Sequence, residues 1–181
     1  TQQTREYTKT GIPLSLFDTR GLEMADFGVT IEELQRLIDD RARDTDPSRH
    51  IHVAWVCIAE DSRRVEDAEA QLVSMLEHRR VPVIAVITKA RADQGFRQVV
   101  QELLPQARNV LRVRALAEEL DDGHLVPAMG LPELVDLTLE VIPEAHRNAF
   151  VAAQKVDTEQ KKRRARGAVA VAAAAAGAAG A

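Results

Sequence analysis

Aromatic residues are scarce in this chain, at 3% of 181 residues, so its core must be built from aliphatic side chains. Cys57 is the only cysteine, which excludes an intramolecular disulfide. Its place in an apolar run predicts a buried thiol in a reducing, cytosolic setting. The first ten residues are polar and do not show the pattern of a secretory signal.

The charge balance is slightly acidic, with a formal net charge of -4, which argues against a nucleic-acid partner. Hydrophobic residues make up 45% of the chain and charged residues 29%, as in ordinary soluble globular proteins. The length leaves room for one domain and an appendage. The abrupt start and the alanine-rich end predict a longer protein cut at both ends.

The start of the chain is predicted to form a β-hairpin from Thr4–Lys9 and Leu14–Phe17, ending at Asp18. Thr30 and Glu33 then form a capping-box pattern that predicts the first turn of a helix.

Apolar strands and amphipathic helices alternate along the rest of the chain. The predicted strands are Ile51–Ala59, Val81–Thr88 and Asn109–Leu116. The predicted helices are Val65–Leu76, Gly95–Leu104, Leu131–Ile142 and Pro143–Arg166. This alternation predicts an α/β fold with a parallel sheet, and the nearly continuous apolar runs predict strands covered on both faces.

Polar residues follow the strands at the edge where open α/β sheets bind ligands. Asp18 ends the hairpin, and an Asp there is suited to hold a metal ion through water. Gly21 allows the backbone to approach a terminal phosphate. The side chain of Thr88 can hold its loop against neighbouring parts of the chain. The aliphatic part of the Lys89 side chain can pack along a purine ring. The alternatives are a plain strand-to-helix turn and an exposed turn lysine.

The stretch Arg114–Leu116 follows the third strand, where the backbone N–H of Ala115 can reach a base carbonyl. Taken alone, an ordinary loop explains this stretch better. The five histidines are scattered without ligand spacing, so no zinc-type site is predicted.

In this order the three stretches resemble the motifs of the Ras-like GTPases, in particular their Era-like and immunity-related branches. Within these branches the chain most resembles bacterial proteins with a membrane-associated helical region after the GTPase domain. Asp18–Gly21 matches the DxxG motif, Thr88–Arg91 lies in the place of N/TKxD, and Arg114–Leu116 in that of the SAK-like motif. The resemblance covers residues 1–142. It implies a three-layer P-loop NTPase sheet, mostly parallel with one antiparallel edge hairpin, lacking the first strand and phosphate loop, and followed by C-terminal helices.

The resemblance also implies ligands and their residues. Mg²⁺ would be held by Asp18 and Thr1, with Thr4 as the fallback for Thr1. GTP or GDP would contact Gly21 through its terminal phosphate. Its base would meet Thr88, Lys89 and the N–H of Ala115.

Two departures from the family pattern bear on activity. No GxxxxGK(S/T) loop occurs, which predicts that this chain alone lacks tight nucleotide binding and is inactive. Arg91 stands where the family has its guanine-reading Asp, and an arginine has only donors. Asp93 is the predicted substitute. Leu22 follows the DxxG motif, so no water-positioning residue is assigned.

The resulting expectation is a GTPase domain at 1–142, a basic helical linker at 143–166 and an alanine-rich segment at 167–181. The parent is expected to be a Mg²⁺-dependent GTP-hydrolysing switch in the cytoplasm, at the inner face of a membrane, with a protein effector or a homodimer partner. A degenerate, non-catalytic scaffold is the alternative. An ATP-binding or nucleotide-unspecific enzyme is the third interpretation.

The tail combines a basic cluster, Lys161–Arg166, with a run of Ala, Val and Gly. The run ends short of the ~20 residues that span a bilayer. The start of a membrane hairpin, a packing helix and a flexible tail all fit this pattern. The basic cluster fits either anionic lipid or an ordinary solvated helix end.

Overall fold

The structure is a computed structural model, and it describes residues 4–10, 12–19, 27–143 and 146–147. These residues divide into two compact units, described separately below: the described residues up to 18 with 146–147, and the described residues from 19 to 143. The predicted linker at 143–166, apart from residues 143, 146 and 147, and the predicted segment at 167–181 lie outside the described residues. Within the described ranges, no helix has both the length and the apolar character needed to cross a membrane.

The first unit contains the predicted β-hairpin. Strand β1 (Arg5–Lys9) pairs with β2 (Ile12–Asp18) in antiparallel register, with Arg5 opposite Asp18. The register shifts between Thr8 and Lys9, as at a β-bulge. By strand pairing the hairpin is a two-stranded sheet of its own. The prediction of a single mixed sheet with this hairpin at its edge is therefore corrected to separate sheets among the described residues.

The second unit is built on a parallel sheet, which confirms the predicted α/β class. Its strands are β3 (Ala54–Ala59), β4 (Val83–Thr88) and β5 (Asn109–Arg112), in the order β3-β4-β5. Both pairings are parallel. The helices are α1 (Phe27–Ala42), α2 (Asp67–His78), α3 (Phe96–Leu103) and α4 (Leu131–Val141).

The central strand β4 is covered on both faces, as its apolar run predicts. Val83, Ala85 and Ile87 point into one cluster, which also holds buried residues of α1, α2 and α3. Ile84 and Val86 point into a second cluster with Leu134 of α4. Alternate side chains of one strand therefore anchor helices on opposite sides of the sheet.

Strand β3 differs from the prediction, because only one of its faces is buried. Val56 and Ile58 are buried, whereas Trp55 is 41% exposed and the Cys57 thiol is exposed. The predicted buried cysteine is therefore wrong. The physical reason is that α4 covers this face of β3 only in part: Trp55 Nε1 donates to Thr138 of α4, while Trp55 and Cys57 stay exposed.

Two element boundaries also differ from the sequence patterns. Helix α1 begins at Phe27, so Thr30 lies inside it and is not its N-cap. The Thr30 side chain points into the interior at 6% exposure. Strand β5 ends at Arg112, because the backbone of Arg114 turns away to pair with Met129.

A small hairpin after β5 is absent from the sequence-based prediction. Strands β6 (Glu118–Glu119) and β7 (Leu125–Val126) pair antiparallel, and Gly123 adopts φ 80° in the turn between them. Strands of two residues are too short to produce a periodic pattern, so sequence periodicity does not detect them.

Candidate functional site

The carboxyl ends of β3, β4 and β5 lie at one edge of the parallel sheet, where ligands bind in folds of this kind. A short 3-10 turn, Glu60–Ser62, follows β3. Residues 89–95 connect β4 to α3, and residues 113–117 follow β5. We call residues 89–93 the β4 loop. The predicted site residues Thr88, Lys89, Asp93 and Ala115 all belong to this edge or its loops.

Lys89 is the first residue after the central strand; the residue is exposed, and its backbone adopts φ 53°. This left-handed conformation costs a non-glycine residue roughly 1 kcal/mol or more. Among the residues that the structure describes, its ammonium has no hydrogen-bond or ion-pair partner. Thr88 anchors the turn from the other side, because its hydroxyl donates to the Ile58 carbonyl at 3.3 Å.

Ala90 joins the β4 loop to the segment after β5. Its N–H donates to the Val113 carbonyl at 3.1 Å, and its own carbonyl accepts a bond from the Arg114 guanidinium. Arg114 also donates to the Pro127 carbonyl at 2.7 Å. Ala115, directly after this joint, is exposed. The structure therefore brings the segments that carry Lys89 and Ala115 together.

The buried side chain of Glu60 holds the middle of the β4 loop through hydrogen bonds. Its side chain is 2% exposed and accepts the N–H of Arg91 at 2.5 Å and that of Ala92 at 2.9 Å. The same carboxylate accepts from Arg112 Nε at 2.6 Å. Burial would raise the pKa of Glu60, but the bonds from Arg112, Arg91 and Ala92 outweigh it and hold the pKa below its ordinary value.

Arg63 clamps the far end of the loop. Its guanidinium donates to the Asp93 carbonyl at 2.6 Å and to the Ala92 carbonyl, and it lies over the Phe96 ring at 5.9 Å from the ring centre. Glu60 thus accepts the N–H groups of Arg91 and Ala92, and Arg63 donates to the carbonyls of Ala92 and Asp93. The loop is consequently preorganised by charged side chains.

Asp93, the predicted guanine reader, is engaged at the start of α3. Its Oδ1 accepts the N–H of Arg97 at 2.9 Å, and Arg112 Nε lies 3.8 Å away. Carboxylates near a helix N-terminus commonly accept backbone N–H groups of the first helical turn in this way. Guanine reading by Asp93 stays a prediction, and it would compete with this capping role.

Arg91 turns its side chain toward the β6–β7 hairpin. Its Nε donates to Glu118 Oε2 at 2.9 Å, and a terminal nitrogen donates to the other carboxylate oxygen. The hydrogen bond from Arg91, helped by the charges of Arg91 and Arg114, lowers the pKa of Glu118. The same pairing raises the pKa of Arg91. The two groups form a bidentate ion pair at the rim of the site.

An open pocket of about 470 Å³ lies along the outer edge of β5. It is lined by both charged and apolar groups, among them Asp93, Arg97, Arg112 and Glu133. Arg97 Nε donates to the Val110 carbonyl at 3.1 Å, which covers part of the free strand edge. Lys89 and Ala115 do not line this pocket, whereas Asp93, the predicted guanine reader, does.

The predicted metal and phosphate residues all lie within the first 21 positions of the chain. Thr1 and Gly21 lie outside the described residues. Asp18 is the last residue of β2, in the separately described hairpin. Within the described ranges, no three His, Cys, Asp or Glu side chains come together as metal ligands. The Mg²⁺ ion therefore stays a prediction that rests on Asp18 and Thr1.

The charged residues that organise the edge were not identified from sequence. Arg112 and Arg114 do carry a usable signal, because two charges inside the apolar run NVLRVRAL imply paired partners. Glu60 directly follows a strand and is a second such signal. Nothing in the sequence indicates that Arg63 and Glu118 meet this loop.

Comparison of the chain with protein-family models, curated proteins and solved structures found no match.

Proposed function

We propose that this chain is the base-binding part of a guanine-nucleotide domain with a Ras-like, P-loop NTPase fold. The parent would be a Mg²⁺-dependent GTP-hydrolysing switch. The observation that carries this proposal is the end of the central strand. There Lys89 is exposed in a strained turn, next to a loop fixed by buried charge, and without a protein partner among the described residues.

The chemistry of the turn suits a purine. The aliphatic stem of Lys89 offers an apolar surface for one face of the ring, with the ammonium directed to water. Ala115 is an exposed residue, and its backbone N–H would bind a base carbonyl. Backbone strain that is held by surrounding interactions is more often found at functional sites than elsewhere.

Titration of GDP and ADP with Mg²⁺ into the isotope-labelled chain, followed by amide NMR shifts, tests the proposal. We expect weak GDP binding that shifts the amides of Thr88, Lys89 and Ala115. Lys89→Ala should weaken it, whereas Lys89→Met keeps the stem and should retain most of it. Arg108→Ala, at an exposed cation outside the site, is the matched control. Absence of any nucleotide-dependent shift in these residues would refute the proposal.

The second candidate is a non-catalytic scaffold, in which a degenerate G domain presents this edge to a protein partner. It is favoured by Arg91, which occupies the base-reading position and is paired with Glu118. It is also favoured by exposed apolar side chains after β5, with Leu116 80% and Leu125 60% exposed.

Equal binding of GDP and ADP in the NMR titration described above would instead support a nucleotide-unspecific protein.

A membrane link is a separate part of the proposal and rests on sequence alone. The basic cluster Lys161–Arg166 would meet anionic lipid at the inner face of a membrane, at about 1 kcal/mol per charge. Co-sedimentation with vesicles containing phosphatidylserine tests it, using a variant with residues 161–164 changed to Gln. Binding that is unchanged by this variant and by added salt would exclude an electrostatic contact.

A further inference from the structure

We propose that Glu118 is the carboxylate that reads the edge of guanine, and that Arg91 occupies it as an internal substitute until the base arrives. This inference rests on the proposed function, in which a guanine nucleotide binds beside Lys89. It assigns the missing specificity determinant to a residue outside the three motifs.

The geometry of the pair is the first argument. Two nitrogens of Arg91 face the two carboxylate oxygens of Glu118, with Nε to Oε2 at 2.9 Å. The side chains are 63% and 33% exposed. A ligand can therefore approach the pair from solvent. Exposed ion pairs of this kind contribute little to stability, so exchanging one partner costs little.

The placement of Glu118 is the second argument. It belongs to β6, a few residues after Arg114, whose guanidinium is bonded to the Ala90 carbonyl. Ala90 in turn follows Lys89 and donates to Val113. Together with the Arg91–Glu118 pair, these ties hold the Glu118 strand beside the β4 loop, which begins at Lys89.

The third argument is the chemical likeness of the two donors. Guanine presents two adjacent N–H groups on its Watson–Crick edge, and a guanidinium presents the same parallel pair. A carboxylate that accepts one can accept the other. Adenine places an acceptor nitrogen at that edge, which an ionised carboxylate repels. Glu118 therefore offers the acceptor that Arg91 itself cannot supply.

The surrounding charges permit the exchange. The pKa of Glu118 is lowered by Arg91 first and by the nearby charge of Arg114 as well, so one cationic neighbour remains when Arg91 leaves. Asp61 and Asp121 also interact with the charge of Arg91. After displacement from Glu118, the Arg91 guanidinium would still lie near these two carboxylates, so its positive charge would remain compensated.

The test compares GDP, inosine diphosphate and ADP in NMR titrations of the full chain, with the Arg91 Nε–H resonance recorded as well. Inosine lacks the 2-amino group and so loses one of the two bonds to the carboxylate. Loss of a hydrogen bond to a charged group predicts roughly tenfold weaker binding than GDP. Glu118→Gln should remove this preference, and Arg91→Met should raise GDP affinity roughly 3- to 10-fold.

The control variants are Glu119→Gln, which changes the neighbouring exposed carboxylate of the same strand, and Arg108→Met. Both should leave the preference unchanged. If GDP binds and keeps its preference over inosine diphosphate in Glu118→Gln, the inference is overturned while the proposed function stands. If no nucleotide shifts the site in the wild type or in Arg91→Met, both are overturned together.

Discussion

The carboxylate of Glu60, which follows β3, lies 2.6 Å from the guanidinium of Arg112, which ends β5. The pair thus joins the two outer strands of the described sheet at the carboxyl end of the central strand. Both side chains are largely buried, at 2% and 18% exposure. Two backbone N–H groups of the β4 loop complete the coordination of the carboxylate.

Removing the Glu60 carboxylate should therefore destabilise the fold. Glu60→Ala leaves Arg112 buried without its partner, and breaking a buried pair in this way costs about 3–5 kcal/mol. Urea unfolding followed by circular dichroism measures the change. Glu77→Ala, at an exposed carboxylate of α2, is the control and should fall within about 0.5 kcal/mol of the wild type. Equal effects of the two variants would contradict the network.

The same carboxylate predicts a pH dependence of stability. The folded-state pKa of Glu60 lies below its ordinary value of 4.5, so the unfolded chain binds the proton more tightly. Its contribution is present above about pH 4.5 and is lost as the pH falls through the folded-state value. The difference in unfolding free energy between wild type and Glu60→Gln should thus shrink on acidification. A difference that stays constant from neutral pH to pH 3 would refute this assignment.

Gly130 should not tolerate a side chain. A Cβ there would lie 2.1 Å from the Arg112 carbonyl oxygen, and the residue has φ +82°. Gly95 has the same φ with nothing within 4 Å of its Cβ position. Gly95→Ala should therefore cost about 1 kcal/mol from the backbone alone. Gly130→Ala should cost about 1–3 kcal/mol more through the clash. Similar unfolding midpoints for the two variants would show that the close approach is absent.

Trp55 gives a direct optical readout of the contact between β3 and α4. Its Nε1 donates to the Thr138 hydroxyl at 3.1 Å, and that hydroxyl donates to the Leu134 carbonyl at 2.7 Å. Thr138→Val keeps the volume but removes the acceptor, at a cost of about 1 kcal/mol. Fluorescence of the single tryptophan should shift with it. Thr138→Ser restores the hydroxyl and should restore the wild-type spectrum.

The alternation of strands and helices was predictable because it depends on local periodicity. The run VPVIAVIT predicts a doubly buried strand, and β4 has that burial. The nearly identical character of IHVAWVCIA predicted the same for β3, where only one face is buried. Burial of a strand depends on which elements pack against it, and that information is not carried by the strand itself.

The candidate site was predictable only at the level of strand ends. Thr88 ends the central strand and Lys89 follows it, as their position after an apolar run implies. The ties between Glu60 and Arg112, 52 positions apart, and between Arg91 and Glu118, 27 apart, follow from tertiary contacts. Sequence shows that charges are present near strand ends but does not show which of them meet.

The hydrogen bonds that charged side chains make around the β4 loop also determine how the loop opens. Glu60, Arg112 and Arg114 come from distant parts of the chain, so they reach the loop only when all three parallel strands are docked. The amides of Arg91 and Ala92 are bonded to a side chain, not to a neighbouring strand. Releasing them by local fraying would leave the buried Glu60 carboxylate without two of its three donors. Their hydrogen exchange should accordingly follow cooperative unfolding of the whole sheet, which makes a surface loop as slow to exchange as the core.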